Sequence, residues 1–178
     1  MNIGVIGGSG FIGSHVVDKL IDEGHSVTVF DMMKPHRSDV SHINIDITDF
    51  TNTTVALAGD YDAIYLLAAM ADVNDCYKNP VATIEVNVLG VANVLEACVR
   101  NEIGRIIYPY EEKVSEKAIL INVRKLQPHI ETIGYQHAST NQGHLYLNYK
   151  SSDSDSFKPN RILTTGESQK KHLSKLWG

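Results

Sequence analysis

Gly7-Gly-Ser-Gly-Phe-Ile-Gly13 (GGSGFIG) separates a short apolar run from an amphipathic segment near the start of the chain. The apolar run, residues 2–7, has the character of a buried parallel strand. From Phe11 onward apolar residues recur at helical spacing until Gly24, which predicts a helix with a glycine C-cap. The glycines therefore occupy a strand-to-helix turn, where they permit a tight bend and close approach of the helix to the strand.

A second apolar run follows the predicted helix and ends on an acid. Residues 25–31 (HSVTVFD) read as the next strand, with Asp31 at its end. Backbone N–H groups of such a glycine turn suit a pyrophosphate, and an acid at this position accepts hydrogen bonds from ribose hydroxyls. Asp31 would also repel a 2′-phosphate, and Met32-Met-Lys34 adds only one nearby cation. The pattern therefore predicts a dinucleotide site that favours NAD over NADP.

Strand and helix patterns alternate through the next 80 residues. Further strands are predicted at 42–46, 62–67 and 105–108, and helices at 51–58 and 80–100. The last helix carries a predicted apolar stripe consisting of Ile84, Val88, Val91, Val94, Leu95 and Cys98. Alternating strands and helices imply right-handed crossovers on a parallel sheet. The predicted fold class is α/β, a Rossmann-type doubly wound parallel sheet.

Composition describes a folded, ordinary protein. The 178 residues are 43% hydrophobic and 21% charged, with a net charge of −5, which argues against disorder and against nucleic-acid binding. No apolar run approaches the roughly 20 residues of a membrane span, and the N-terminus lacks signal-peptide features, so we expect a cytoplasmic protein. Cys76 and Cys98 lack metal-ligand spacing, so we expect free thiols and no metal site.

Charge and apolar content change together near residue 108. Residues 1–108 contain 6 basic and 14 acidic side chains, whereas residues 109–178 contain 10 basic and 7 acidic ones. The later part is also more polar, and residues 151–156 (SSDSDS) are typical of a flexible loop. We therefore expect an NAD-binding Rossmann core over 1–108 and a divergent polar segment over 109–178, with the C-terminal substrate region short or missing.

Several stretches, in order, resemble the extended short-chain dehydrogenase/reductase family. The resemblance is to its NAD-dependent epimerase/dehydratase branch, and within it to UDP-glucose 4-epimerase-like proteins. It rests on GGSGFIGSHVVDKLIDEGHSVTVFD, on Asp46-Ile47, on Leu67-Ala-Ala-Met-Ala71, on EVNVLGVANVLEAC after Asn79-Pro80, and on GRIIY. It covers about residues 1–108.

The resemblance implies a cofactor and a set of residues that contact it. The cofactor is NAD, and the implied residues are Gly7, Gly10, Phe11, Ile12, Gly13, Asp31, Asp46, Ile47, Ala68, Ala69 and Asn87. It also implies a nucleotide-sugar substrate, most simply a UDP-sugar, and a homodimer formed through the long helix before the fifth strand. No metal is implied.

The family's chemistry is a transient hydride transfer between the sugar and NAD, with a Tyr-x-x-x-Lys pair that moves the proton. Tyr146 and Lys150 have this spacing, at a suitable distance beyond the fifth strand. With 8 tyrosines and 11 lysines in the chain, chance alone gives about 0.5 such pairs. The pair is therefore either a catalytic dyad or a coincidence of spacing.

The sequence departs from the family immediately after GRIIY. The family continues with small hydroxyl residues that orient the substrate, whereas this chain reads Pro109-Tyr-Glu-Glu-Lys113. Residues 111–126 fit a helix by pattern, and His129, His137 and His144 read as surface histidines. Three interpretations stay open: a nucleotide-sugar epimerase or dehydratase, truncated or intact, a non-catalytic dinucleotide-binding module that has lost the Ser/Tyr/Lys set, and an inactive fragment.

Overall fold

The computed structural model describes residues 1–109, 129–136 and 160–164. The chain divides into two compact units, Met1–Ile106 and Ile107–Gly178. The division falls close to residue 108, where the composition of the sequence changes. The predicted helix over 111–126 and the SSDSDS loop lie outside the described residues.

Strands and helices alternate through the first unit. The strands are β1 (Asn2–Ile6), β2 (Ser26–Phe30), β3 (Ser41–Ile43), β4 (Ala63–Leu66) and the start of β5 (Arg105–Pro109). The helices are α1 (Phe11–Asp22), α2 (Phe50–Ala56), α3 (Val73–Lys78), α4 (Pro80–Ile84) and α5 (Val91–Arg100), with a π-helical turn at Glu85–Gly90 between the last two.

The strands form a parallel sheet in the order β3-β2-β1-β4-β5. β1 lies in the middle, so that Gly4 pairs with Thr28 on one side and with Ile64 on the other. Strands β2 and β3 extend the sheet on one side of β1, and β4 and β5 extend it on the other. This is the strand order of a doubly wound Rossmann sheet. The predicted fold class is confirmed.

The central strands are apolar on both faces because helices cover both. On one face Ile3 and Val5 of β1 pack in a buried cluster with Val17 of α1. On the other face the ring of Phe30 and the side chain of Ile64 fill the space above Gly4, where a Cβ would lie 2.5 Å from Ile64 Cδ1. Phe30 and Ile64 are both fully buried. A continuous apolar core of this kind is what a parallel sheet requires.

Helix α1 ends as the sequence predicts. Gly24 adopts a left-handed φ of +81°, and its N–H donates to Ile21 O at 2.8 Å. The N–H of His25 donates to Leu20 O at 3.0 Å. These two hydrogen bonds form a Schellman motif, which returns the chain directly into β2.

Strand β3 and helix α3 differ from the sequence prediction, and in each case an aspartate that accepts backbone N–H groups lies at the point of difference. Strand β3 ends at Ile43 rather than at Asp46, because the Asp46 carboxylate accepts hydrogen bonds from Thr48 and the backbone turns there. Helix α3 was not predicted, since its residues show no apolar period and none is buried. It begins because Asp72 accepts the N–H groups of Asn74 and Asp75.

The helical run Pro80–Arg100 is long and apolar enough to cross a membrane by length and composition, with a mean hydropathy of 1.4. The sequence-based expectation that no stretch reaches this length is therefore corrected. Its C-terminal half nevertheless packs into the protein, with Val94, Leu95, Ala97 and Cys98 buried. One buried face on an otherwise exposed helix is typical of an amphipathic helix that packs against a protein core.

The described part of the second unit centres on two parallel strands, β6 (Glu131–Gln136) and β7 (Arg161–Thr164). Their register begins with Ile133 opposite Arg161. Just before the pair, Asn160 Oδ1 accepts hydrogen bonds from the N–H and the hydroxyl of Thr132, at 3.0 and 2.8 Å. Thr132 is almost fully buried, so this contact satisfies polar groups that water does not reach.

Candidate functional site

A cavity of about 420 Å³ opens in the first unit at the carboxyl ends of β1, β2 and β4. In open α/β sheets this edge is where ligands bind. The lining includes glycines of the turn after β1, one carboxylate at the end of β2, a second carboxylate after β3, and small residues after β4. The residues that line it are Ile6, Gly7, Gly10, Phe30, Asp31, Met32, Met33, Ile45, Asp46, Ile47, Leu67, Ala68, Ala69, Met70 and Val86.

The glycine turn is required by its packing. Gly7 has a left-handed φ of +82°, and a Cβ on it would lie 2.5 Å from the backbone nitrogen of Ala68. A Cβ on Gly13, in the first turn of α1, would lie 2.0 Å from Gly7 O. Within the turn Gly10 N–H donates to Gly7 O at 3.2 Å. These contacts bring the N-terminus of α1 against the end of β1, which gives the cavity a floor of backbone atoms.

The Asp31 carboxylate is fixed by two backbone groups. Its Oδ2 accepts the N–H of Ser9 at 3.0 Å, and its Oδ1 accepts the N–H of Met33 at 2.9 Å. The Ser9 hydroxyl in turn donates to Met33 O at 2.7 Å. Ser9 lies in the glycine turn, so these bonds hold the acid beside the turn. A carboxylate has about four lone-pair positions, so two bonds leave capacity for ligand hydroxyls.

A second wall of the cavity follows β3. The Asp46 Oδ1 accepts the N–H of Thr48 at 2.9 Å and the Thr48 hydroxyl at 2.8 Å. Asn93 of α5 donates from its side-chain nitrogen to Ile47 O at 2.9 Å and to Thr48 O at 3.1 Å. Residues 46–48 are therefore held by hydrogen bonds within the turn and by Asn93 of α5. Ile45 and Ile47 are buried beside Asp46.

The segment after β4 is held by Asn87. Its Oδ1 accepts the N–H of Met70 at 2.8 Å, and its Nδ2 donates to Met70 O at 2.9 Å. A carboxamide that pairs with both backbone groups of one residue fixes that residue as a neighbouring strand would. Asn87 lies inside the π-helical turn, a type of irregularity that is frequent at functional sites.

A known protein family matches the part of the chain that forms the cavity. The model of the NAD dependent epimerase/dehydratase family matches residues 3–110. This match spans more than half of the chain and includes every residue that lines the cavity. The chain belongs to the NAD-dependent epimerase/dehydratase family.

Individual relatives agree with the family match. The chain is 33% identical over 109 residues to a putative UDP-glucose 4-epimerase of Methanocaldococcus jannaschii, covering 58% of this chain and 36% of that protein. It is 30% identical over 140 residues to a UDP-glucose 4-epimerase of Halalkalibacterium halodurans, covering 76% and 42%. The chain thus spans less than half the length of either curated relative.

A solved structure supports the fold. The UDP-glucose 4-epimerase of Thermus thermophilus, crystallised with NAD, superposes with a TM-score of 0.65 at 23% identity. The alignment covers 76% of this chain and 54% of that one. At this identity the likeness establishes a shared architecture.

The residues that the family resemblance implies fall into three groups. Gly7, Gly10, Asp31, Asp46, Ile47, Ala68 and Ala69 line the cavity together. Gly13 and Asn87 lie behind it, where they fix the turn and Met70 respectively. Phe11 and Ile12 are not among the lining residues, and their side chains are exposed. Tyr146 and Lys150, with His137 and His144, lie outside the described residues.

Several lining residues were not found from the sequence. Met32 and Met33 were considered only for their lack of charge, yet they line the cavity beside Asp31 and are 66% and 62% exposed. Val86 contributes from the π-helical turn, a position that the predicted stripe did not include. Asn93 does not line the cavity, but it contacts the wall behind Ile47; the sequence shows it only as part of a family motif, because its two backbone contacts depend on the fold.

The guanidinium of Arg37 is paired with two carboxylates, a feature that sequence reasoning missed. Arg37 lines a second concavity of about 330 Å³ together with Lys34 and His42. It donates to Asp18 Oδ1 at 3.0 Å and to both oxygens of Asp39, at 2.9 and 2.7 Å. The hydrogen bonds from Arg37 hold the pKa of both carboxyls below its usual value. Two carboxylates therefore offset the positive charge of Arg37, which does not line the first cavity.

The cavity fits the NAD implied by the family. Alanine at Gly7 or Gly13 would collide with backbone atoms, so these glycines keep the N-terminus of α1 packed against the end of β1, beside the cavity. The cavity volume lies within the roughly 300–1,000 Å³ typical of ligand sites. A fixed carboxylate beside the turn offers acceptors to paired hydroxyls. Within the described residues no three His, Cys, Asp or Glu side chains form a group that could hold a metal ion.

Proposed function

We propose that the chain binds NAD(H) in this cavity and supplies the cofactor-binding part of a nucleotide-sugar epimerase or dehydratase of UDP-glucose 4-epimerase-like type. The observation that carries the proposal is the Asp31 carboxylate, held beside the glycine turn by Ser9 and Met33. Its remaining acceptor capacity suits the two hydroxyls of an adenosine ribose, and its charge opposes a 2′-phosphate. The substrate proposed from the relatives is a UDP-sugar.

In this proposal each wall of the cavity has a distinct task. The turn from Gly7 to Gly13 presents backbone N–H groups and the N-terminus of α1 to the pyrophosphate. Asp46 and Ile47 border the adenine, while Ala68 and Ala69 leave room for the cofactor beside β4. When bound, NAD supplies hydride transfer to and from the sugar carbon.

The proton transfer that accompanies this chemistry is proposed for Tyr146 and Lys150. A tyrosinate removes a hydroxyl proton from the sugar, and the positive charge of the lysine favours the tyrosinate. This role comes from the family resemblance and from the four-residue spacing of the pair. It predicts that Tyr146→Phe abolishes turnover of a UDP-sugar while NAD binding persists.

NAD binding is tested first by Asp31→Asn. The amide keeps one acceptor oxygen, but its NH₂ then faces a backbone N–H that the carboxylate had satisfied. Hydrogen bonds to charged groups contribute about 1.5–3 kcal/mol, so we expect NAD to bind about 10- to 100-fold more weakly, with a smaller loss for NADP. Isothermal titration calorimetry with both dinucleotides measures this shift.

Asp49→Asn is the matched control. Asp49 also accepts a backbone N–H, from Asn52 at 2.9 Å, but it caps α2 and does not line the cavity. Asparagine caps helices as well as aspartate does, so this variant should bind NAD as the parent does. Equal NAD affinity in the Asp31→Asn variant and the parent would refute the proposed site.

A second function, a non-catalytic dinucleotide-binding module, is favoured by one observation. Strand β5 ends on Pro109, at the place where the family carries its substrate-orienting hydroxyl residues. The two functions differ in turnover: an enzyme interconverts at least one sugar in a panel of UDP-, GDP- and dTDP-sugars. The module binds NAD, turns over none of them, and keeps its NAD affinity in the Tyr146→Phe and Lys150→Met variants.

A homodimer is proposed through an exposed apolar face of the long helical run before β5, from α4 into the π-helical turn, together with α3. Tyr77 is 87% exposed, and Val81, Ile84 and Val88 are at least half exposed at helical spacing. Association of two such faces would remove this surface from water. Light scattering on a sizing column should show a dimer that Ile84→Glu converts to a monomer, whereas an unchanged mass would refute this interface.

A further inference from the structure

The wall of the cavity that carries Asp46 and Ile47 is fastened to α5 by one side chain. Asn93 Nδ2 donates both of its hydrogens, to Ile47 O at 2.9 Å and to Thr48 O at 3.1 Å. These carbonyls belong to successive residues of the segment that follows β3. The segment has left the sheet at this point, so its carbonyls have no strand partner. Asn93 therefore supplies the hydrogen bonds that a neighbouring strand would otherwise donate to these carbonyls.

A close approach of the helix accompanies these hydrogen bonds. Gly90 lies one turn before Asn93, on the same face of the helix. A Cβ on Gly90 would lie 2.6 Å from Ile47 Cγ1 and 2.7 Å from Ile47 Cδ1. The Ile47 side chain is almost fully buried in this contact. The helix therefore holds both the backbone and the side chain of Ile47.

Asp46 is positioned through the same segment. Its carboxylate accepts both hydrogen bonds from Thr48, whose carbonyl is one of the two that Asn93 holds. A displacement of Thr48 would therefore displace the Asp46 carboxylate as well as Ile47. Both residues line the cavity, so the shape of this wall depends on the position of the helix.

We propose that Asn93 is a positioning residue for the adenine end of the cofactor site. It sets the distance between α5 and the Asp46–Thr48 segment and thereby keeps the wall ready for the base before the ligand arrives. The inference rests on the proposed NAD-binding function and adds a residue that does not itself line the cavity.

The chain provides a matched control two helical turns further along. Asn101 Nδ2 donates to Thr54 O at 3.0 Å and to Ala97 O at 2.9 Å. It is the same type of side chain, also partly buried, and it holds α2 rather than the cavity wall. Loss of this contact should lower folding stability without changing the affinity for the ligand.

The experiment compares Asn93→Asp and Asn101→Asp, with Asn93→Ala as a milder second variant. In each aspartate variant a carboxylate oxygen replaces the donor and faces carbonyl oxygens. Urea unfolding measures the stability of each variant, and calorimetry measures its dissociation constants for NAD and for ADP-ribose. We expect comparable losses of stability in both aspartate variants. We expect at least a 10-fold loss of affinity for both ligands in the Asn93 variants only.

Each outcome supports or overturns the inference. If the Asn93 variants bind ADP-ribose as tightly as the parent does, or no more weakly than Asn101→Asp does, Asn93 is a structural staple and the inference is wrong. If the parent chain itself binds neither NAD nor ADP-ribose, the proposed function fails and the inference falls with it. If Asn93→Asp does not fold, the affinity of Asn93→Ala for ADP-ribose decides between the two roles.

Discussion

The substitution Gly13→Ala should give the largest loss of stability among the glycine variants, because its new Cβ would make the closest clash in the glycine turn. The new Cβ would lie 2.0 Å from Gly7 O and 2.8 Å from Gly8 Cα, whereas ordinary van der Waals contacts are 3.4–4 Å. The obstructing atoms are backbone, so no side chain can rotate away. The N-terminus of α1 must therefore move away from the end of β1 by more than 1 Å.

The size of the effect follows from two opposing contributions. Overpacking of a well-packed site costs about 1–3 kcal/mol, and a backbone clash of this depth belongs at the upper end. Alanine within a helix regains about 1 kcal/mol relative to glycine. We therefore expect a net loss of about 2 kcal/mol in the free energy of unfolding. NAD affinity should fall at least about 10-fold, because the displaced helix N-terminus no longer meets the pyrophosphate.

Two other glycines distinguish the effect of a steric clash from the effect of an unfavourable backbone conformation. Gly104→Ala meets nothing within 4 Å and should change neither stability nor binding. Gly24→Ala also meets nothing, but Gly24 has a φ of +81°, so it should lose about 1–2 kcal/mol of stability. Gly24 lies at the far end of α1, so NAD affinity should persist. Urea unfolding and calorimetry on the three variants would refute the reasoning if Gly13→Ala bound NAD as tightly as Gly24→Ala.

Three further predictions concern other parts of the described structure. Burial raises the pKa of the Cys98 thiol to about 12, above a reference value of 9.0. The folded state therefore resists ionisation, and stability should decline as pH rises from about 9 toward 12, a decline that Cys98→Ala should lessen in urea titrations at several pH values. Asp49→Ala removes the cap of α2 and should cost about 1 kcal/mol in the same assay, whereas Asp49→Asn should cost little. Asn87→Ala leaves both backbone groups of Met70 without their partner, so amide exchange at Met70 should accelerate and NAD affinity should fall.

Much of the first unit could be predicted from the sequence because its signals are local. The run from β1 through the glycine turn to Asp31 combines a buried strand, a required turn and a capped helix, and each of these constrains its neighbours. Right-handed crossovers then predict that the helices cover the faces of a parallel sheet. In the same way the glycines and Asp31 were predicted as site residues, since their chemistry depends on positions at the ends of adjacent strands.

Other parts of the site depend on contacts between distant segments. Asn87 and Met70 are 17 residues apart, and Asn93 and Ile47 are 46 residues apart. An asparagine in a helix has no local feature that reveals which backbone it will hold. The family resemblance implies Asn87 as a site residue, but the backbone groups that Asn87 and Asn93 hold can be identified only after the helix has been placed against the edge of the sheet.

The predicted apolar stripe on the long helix was wrong in its first half, and the π-helical turn explains why. Ile84 and Val88 are 61% and 51% exposed, whereas Val94, Leu95 and Cys98 are buried as predicted. An i→i+5 turn accommodates one additional residue, so positions before it are rotated relative to positions after it. A single 3.6-residue period cannot describe both halves. The same rotation turns Val86 toward the cavity and Gly90 toward Ile47, so the irregularity that defeats the periodic prediction is also what brings this helix to the site.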